Sequence, residues 1–393
     1  MIVYILRIIT KSLAGICIFI LIILILQYAV NPKYSFPEPQ AFNGDYIYNP
    51  YRNFDQTKWR MANFHAHTRK IFDQAKSASR SNPLLDSLYR SFGYNIICIS
   101  DYQTINNYES KNEWFVPVYE HGYQYYKNHQ LVLNAKKVNW LDFPFPQTLS
   151  NKQYIIDQLK KDTTALITIV HPMYRKAYSY KDFRYLSNFN CLEIANSKHL
   201  FISYYDSILS AGHPVFLMAD DDVHDLKNIK DNVSSFNLIN TDLFRDSILY
   251  SLRTGRSIAV KLNISSFKTN QEKRAAVLKL PEVSSISFKN DTITVSLNQS
   301  VKIIKFIGQN GTEKMRILNC STGSYSFGKQ DTYIRTEIEC NDSTIYFLNP
   351  FFRYNGIRLT YYKASYNVLE TWALRSALLC ILLLIFTIWY RNK

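Results

Sequence analysis

The segment Asn63-Phe64-His65-Ala66-His67-Thr68 is the first place where side-chain chemistry can be read from the sequence. Side chains two residues apart on a strand face the same way, so His65 and His67 can reach one metal ion. A His-x-His pair alone is weak, and its weight comes from the residues downstream of it. Asp101 stands just past the apolar run Asn95–Ser100, and Glu120 stands past Phe115–Tyr119. His129 opens the run His129–Leu133, and His171 follows Ala165–Val170. Pro214–Ala219 leads into Asp220-Asp221-Asp222-Val223-His224. Five of the eight histidines fall at such positions. Imidazole nitrogen and carboxylate oxygen suit zinc, manganese or iron. A carboxylate such as Glu120 can bridge two ions, and paired ions can activate water and clamp a phosphate. Arg69 and Arg175 directly follow these motifs and are the candidate phosphate-binding cations.

The elements that would position these groups are short apolar runs separated by helical patterns, from Lys58 to about Lys261. Buried strands alternating with helices indicate βα units and a doubly wound sheet or a barrel. In α/β barrels the ends of strands are where catalytic residues gather. After about Pro281 the pattern becomes all-β. Ser284–Phe288, Thr292–Leu297, Val301–Ile307, Tyr333–Glu339 and Thr344–Leu348 read as strands, and Asn290-Asp291, Asn310-Gly311 and Asn341-Asp342 read as turns.

The order of these residues resembles the polymerase and histidinol phosphatase (PHP) family over roughly residues 60–260. The matching positions are His65 and His67, Asp101, Glu120, His129, His171, and the closing Asp222 with His224. The resemblance implies a metal-dependent phosphoesterase with two or three divalent ions. His65, His67, Glu120 and Asp222 would hold one ion, and Glu120, His129 and His171 a second. His224, with Asp101 or Asp73, would orient water or hold a third. It also implies an α/β fold, a distorted (βα)7-type barrel; the sequence pattern adds a small all-β sandwich-like domain after it and two flanking transmembrane helices. The sequence departs from the family at Tyr102, where a histidine is usual, and at Thr68–Asp73, which lacks the usual histidine. These departures keep open a second reading, a catalytically weakened binding or assembly module of the cell envelope.

The 393 residues are enough for two folded units, and 47% hydrophobic against 20% charged content supports a sizeable core. The net charge of +15 implies an anionic partner. Because the basic residues are scattered, nucleic acid ranks below a phosphorylated substrate, whether envelope lipid, glycan or protein, and below the membrane itself. Leu13–Val30 is an almost unbroken apolar run, longer than the apolar core of about 7–15 residues of a cleaved signal peptide. Thr371–Tyr390 is a second such run. About 20 apolar residues span a bilayer. Arg7 and Lys11 before the first run, and Arg391 and Lys393 after the second, place both ends inside and residues 31–370 outside. The expected organisation is a helix over 1–30, a linker over 31–57, the metal-dependent unit over 58–261, the β-unit over 262–366 and a helix over 370–390. Cys320 and Cys340 are a candidate disulfide in an extracytoplasmic β-unit. His121, His199 and His213 read as structural, Asp220 as a hydrogen-bonding support for a ligand histidine, and Glu193 stays open between such a support and a loop salt bridge.

Overall fold

The computed structural model describes residues 2–69, 81–357, 359 and 362–391. Five runs read from the sequence are strands: Val118–His121, Gln130–Leu133, Leu166–Ile169, Cys191–Ala195 and Phe216–Ala219, and every one of their residues is buried. Strands covered on both faces have no polar side to show, which is why they read as unbroken apolar runs. They form one five-stranded sheet in that order. The first three strands pair antiparallel and the last two join in parallel.

A second, eleven-stranded sheet runs from Val283–Lys289 through Thr292–Gly308, Tyr333–Glu339, Ile345–Leu348, Ser257–Lys261, Ser235–Asn240 and Trp59–Asn63 to Ile96–Ile97, with three further strands off this path. Among the described residues the chain has 18 strands and eight α-helices, in three sheets, and no sheet closes into a barrel. This overturns the expected (βα)7-type barrel. Apolar runs show that a strand is buried but not which neighbour it pairs with. The short 122–129 connection permits an antiparallel pair, whereas parallel strands need a crossover of a dozen residues or more. The expected separate sandwich is corrected too. Ile258 to Lys261 pair with Leu348 to Ile345, so the C-terminal strands continue the sheet that holds Trp59–Asn63.

Two isolated parallel bridges join the two sheets beside the site, Ala66 to Val223 and Tyr102 to Glu120. The C-terminal strands are pinned to the helix Ile202–Ser210 by a buried ion pair. The Arg335 guanidinium meets both carboxylate oxygens of Asp206 at 2.7 and 2.8 Å, and Glu337 at 2.5 Å. All six cysteines are free thiols, so Cys320 and Cys340 form no disulfide.

The helices Ile2–Ala29 and Val368–Arg391 are long and apolar enough to cross a membrane. Where they meet the body they are clamped together. Tyr34 and Ser35 pair with Tyr366 and Ser365 in a two-stranded sheet. The Lys33 amide donates to Thr371 Oγ1 at 2.9 Å, and Arg375 Nε donates to the Ala29 carbonyl at 3.0 Å.

Candidate metal centre

Beyond Asn63 the chain stays extended beside Asp222 and Val223. The Asp222 amide donates to the His65 carbonyl at 2.9 Å, and the His67 amide to the Val223 carbonyl at 3.0 Å. Alternation turns His65 and His67 to one side, while Phe64 and Ala66 are fully buried. Glu120 comes from the first strand of the five-stranded sheet, His129 precedes the second, and His171 follows the third. Gly122 makes room for His129. A Cβ at this position would lie 2.5 Å from His129 Cδ2, and its φ of +115° favours glycine.

Glu120 sits at the middle of the cluster. Its Oε2 lies 2.9 Å from His67 Nε2 and 3.4 Å from His65 Nε2. Its Oε1 lies 2.5 Å from His129 Nδ1 and 2.9 Å from His171 Nε2. Asp222 Oδ1 is 3.3 Å from His65 Nε2 and 3.4 Å from His67 Nε2. His65, His67, Glu120 and His129 are at most 1% exposed. His171 and Asp222 hold their places with positive φ, 31° and 52°. Non-glycine residues there carry strain of order 1–3 kcal/mol, which persists only where the surroundings impose it.

Burial pulls His65 down, but Asp222, Glu193 and Glu120 together outweigh it and hold its pKa well above the usual histidine value. Burial likewise opposes Glu120, yet His129 and His65 hold its carboxyl well below the ordinary range. Burial raises Asp222, and His65 and His224 more than reverse it. Burial wins at His129, which falls to about 4.

Glu120 Oε2, Asp222 Oδ1, His65 Nε2 and His67 Nε2 are all buried without a hydrogen-bond partner. Buried polar atoms are normally paired, so four such atoms aimed at one point require an explanation. A bound cation would satisfy all four. One donor atom each from His65, His67, Glu120 and Asp222 can be chosen within 4.8 Å of one another, and likewise from Glu120, His129 and His171. The first group can hold a metal ion. Both groups are those expected from the sequence.

The remaining expected residues have other placements. His224 is outside both groups. Its Nδ1 lies 2.9 Å from the Asp222 carbonyl, its Nε2 lies 3.3 Å from Tyr102 Oη, and its ring packs 4.5 Å from that of His67. The Asp101 carboxylate accepts from the amides of Thr68 and Arg69 at 2.8 and 2.9 Å and from Asn106 Nδ2 at 2.9 Å, so it fixes the turn after His67. Arg69 is exposed. Arg175 is exposed too, and donates to the Tyr125 carbonyl at 2.9 Å with its guanidinium 4.2 Å from the Tyr125 ring centre. Asp73 lies outside the described residues. His121 bonds Gln130 and the Leu141 carbonyl, and His213 the Arg184 carbonyl, away from either group.

Three residues have roles that sequence reasoning left open or missed. Glu193 accepts from His65 Nδ1 at 2.7 Å and from the His171 amide at 2.9 Å, and so orients one ligand from each group. Its place in the apolar run Cys191–Ala195 was the available signal. Tyr102 stacks on His67 at 4.4 Å and 15°. Lys127 brings its ammonium to 5.0 Å from the Tyr102 ring centre, beside the ligands, and no sequence signal marks it. Asp220, expected to bond a ligand imidazole, accepts instead from the Phe64 amide at 2.6 Å, one residue before His65. Burial, then Glu193, push its carboxyl up to about 8.

No family model matches this chain, and no curated protein matches it. Three chains of known structure match. One is the crystal structure of PsfC from Pseudomonas syringae PB-5123, 12% identical, with a TM-score of 0.38. The match spans 56% of this chain and 99% of that one. A likeness of this size carries no argument about fold or activity.

Proposed function

We propose that this chain is a membrane-anchored, metal-dependent hydrolase that cleaves a phosphate ester. The observation that carries the reading is the position of Glu120, with one carboxylate oxygen facing His65 and His67 and the other facing His129 and His171. Glu120 would thus contribute a ligand atom to each of the two groups if both held an ion. Zinc, manganese or iron suits the donor set. A bound pair of ions supplies a water of lowered pKa and neutralises phosphate charge. The matching ligand order is also what supports the PHP resemblance.

The chain's own residues contribute orientation and charge. Glu193 fixes His65 and His171, Asp101 fixes the turn after His67, and Lys127 offers positive charge beside Tyr102. In the reaction, the oxygen of water bonds to phosphorus and the ester P–O bond breaks. One proton of the water goes to the departing alkoxide, and the products are phosphate and an alcohol. Tyr102 stands where the PHP family usually has a histidine and His224 is held by Tyr102 and Asp222, which favours two ions rather than three. The basic residues at both termini favour a cytoplasmic position for the ends and an outward-facing body.

The test is metal analysis of the full-length protein in detergent, together with hydrolysis of 4-nitrophenyl phosphate. Two metal equivalents and turnover, both lost in His65→Ala, are expected. Absence of bound metal, or turnover unchanged in His65→Ala, overturns the reading.

A further inference from the structure

We infer that the mouth of the candidate centre is applied to the bilayer surface, and that the phosphate ester it takes is carried by a membrane lipid. The substrate part of this inference rests on the hydrolase reading. The seat on the membrane does not.

A chain of direct contacts runs from the first apolar helix to the ligands. In the last turn of Ile2–Ala29, Gln27 Nε2 donates to the Asp142 carbonyl, and Tyr28 Oη accepts from the Phe145 amide at 3.3 Å. The Tyr28 ring packs on Phe143 with centres 5.0 Å apart. The 139–146 loop is therefore fixed at the level where the helix leaves its apolar stretch. The same Asp142 reaches toward the site, since its Oδ2 accepts from the amides of Tyr123 and Gln124 at 2.9 and 3.2 Å. The loop those amides begin carries Lys127 beside Tyr102 and ends in His129. One residue, through its carbonyl on one side and its carboxylate on the other, thus couples the helix end to the loop that rims the metal ligands.

The 139–146 loop also has the composition of a membrane-interface surface. Trp140 is 66% exposed and Phe145 55% exposed, in a loop otherwise tied down by Asp142. Aromatic side chains at the ends of spanning helices settle at the headgroup level. Lys127 adds positive charge beside Tyr102, and the ion pairs among the described residues do not include it. A soluble phosphate ester offers the same chemistry to the ligands, so source is what must be tested.

The full-length protein is reconstituted in phosphatidylcholine vesicles containing phosphatidic acid, a lipid phosphomonoester, and phosphate release is compared with hydrolysis of soluble 4-nitrophenyl phosphate. Trp140→Ser and Phe145→Ser are each expected to lower lipid turnover at least fivefold while the soluble ester changes by less than twofold. Wild-type rates on the lipid in both variants, or hydrolysis of the soluble ester alone, overturn the lipid assignment and leave the hydrolase reading standing. Failure to cleave either ester overturns both. The seat is judged separately by fluorescence quenching with brominated phosphatidylcholine. Quenching that falls in Trp140→Phe supports it, and quenching equal to wild type overturns it.

Discussion

Two clusters of buried charge in this molecule are built on opposite principles. At the base of the C-terminal strands, Arg335 is 3% exposed by its side chain, and its planar fork meets both oxygens of Asp206 while its remaining nitrogen meets Glu337. Every charge there has its partner within the chain. In the candidate metal centre, the two carboxylates of Glu120 and Asp222 face imidazole nitrogens, and four of the facing atoms have no hydrogen-bond partner. The first cluster is complete as folded. The second leaves donor atoms that a metal ion could join. Burial alone therefore does not distinguish a structural charge cluster from a functional one, whereas the count of unsatisfied atoms does.

The contrast can be broken by removing one residue from each side. Glu120→Ala takes away the carboxylate common to both ligand groups. It is expected to abolish bound metal and, because metals stabilise such transition states by several kcal/mol, to lower kcat/KM by about 10³-fold or more. Metal analysis and initial rates check this. Arg335→Ala leaves the half-buried Asp206 without its guanidinium partner. Breaking a buried pair in this way costs about 3–5 kcal/mol, read as a lower denaturant midpoint with metal content per folded protein unchanged. If Arg335→Ala also emptied the metal site, the two clusters would not be independent.

Smaller effects sharpen the comparison. Glu193→Gln weakens the hold on His65 and His171 without removing a ligand, and metal affinity is expected to fall by roughly 10–100-fold in a competition titration. Tyr102→Phe removes one contact to His224 at 3.3 Å and keeps the stacked ring on His67. A change of about 1 kcal/mol or less in stability is expected, with metal stoichiometry retained.

The site was more legible in the sequence than the fold, and the reason is local. His65 and His67 are two residues apart, so period-2 alternation turns them to one side, and Asp222 closes an acidic run just past a buried strand. Glu120 and His129 come together because a short connection joins antiparallel neighbours, Glu120 facing Leu131 in the register. Strand partners are not local information. Nothing in Ser257–Lys261 announces that it pairs with Ile345–Leu348, and that pairing merges what the sequence divides into two units. The strand Thr312–Ser326 escaped altogether because it lies against its neighbour with almost every residue exposed or half-buried, and so lacks apolar alternation. Lys127 and the stacking of Tyr102 depend on loops meeting in space, which neither periodicity nor motif spacing records.

The short pairing of Tyr34 and Ser35 with Ser365 and Tyr366 has a mechanical consequence. A body hung from one helix by a flexible stalk would tumble through a hemisphere and present the face with the metal-ligand cluster at every tilt. Two apolar helices joined at their exit by backbone hydrogen bonds, with Arg375 bonded across to Ala29, remove that tumbling. In a bilayer the remaining freedoms are lateral drift and spin about the membrane normal, so encounters with anything else in the same leaflet become a search in two dimensions at constant height.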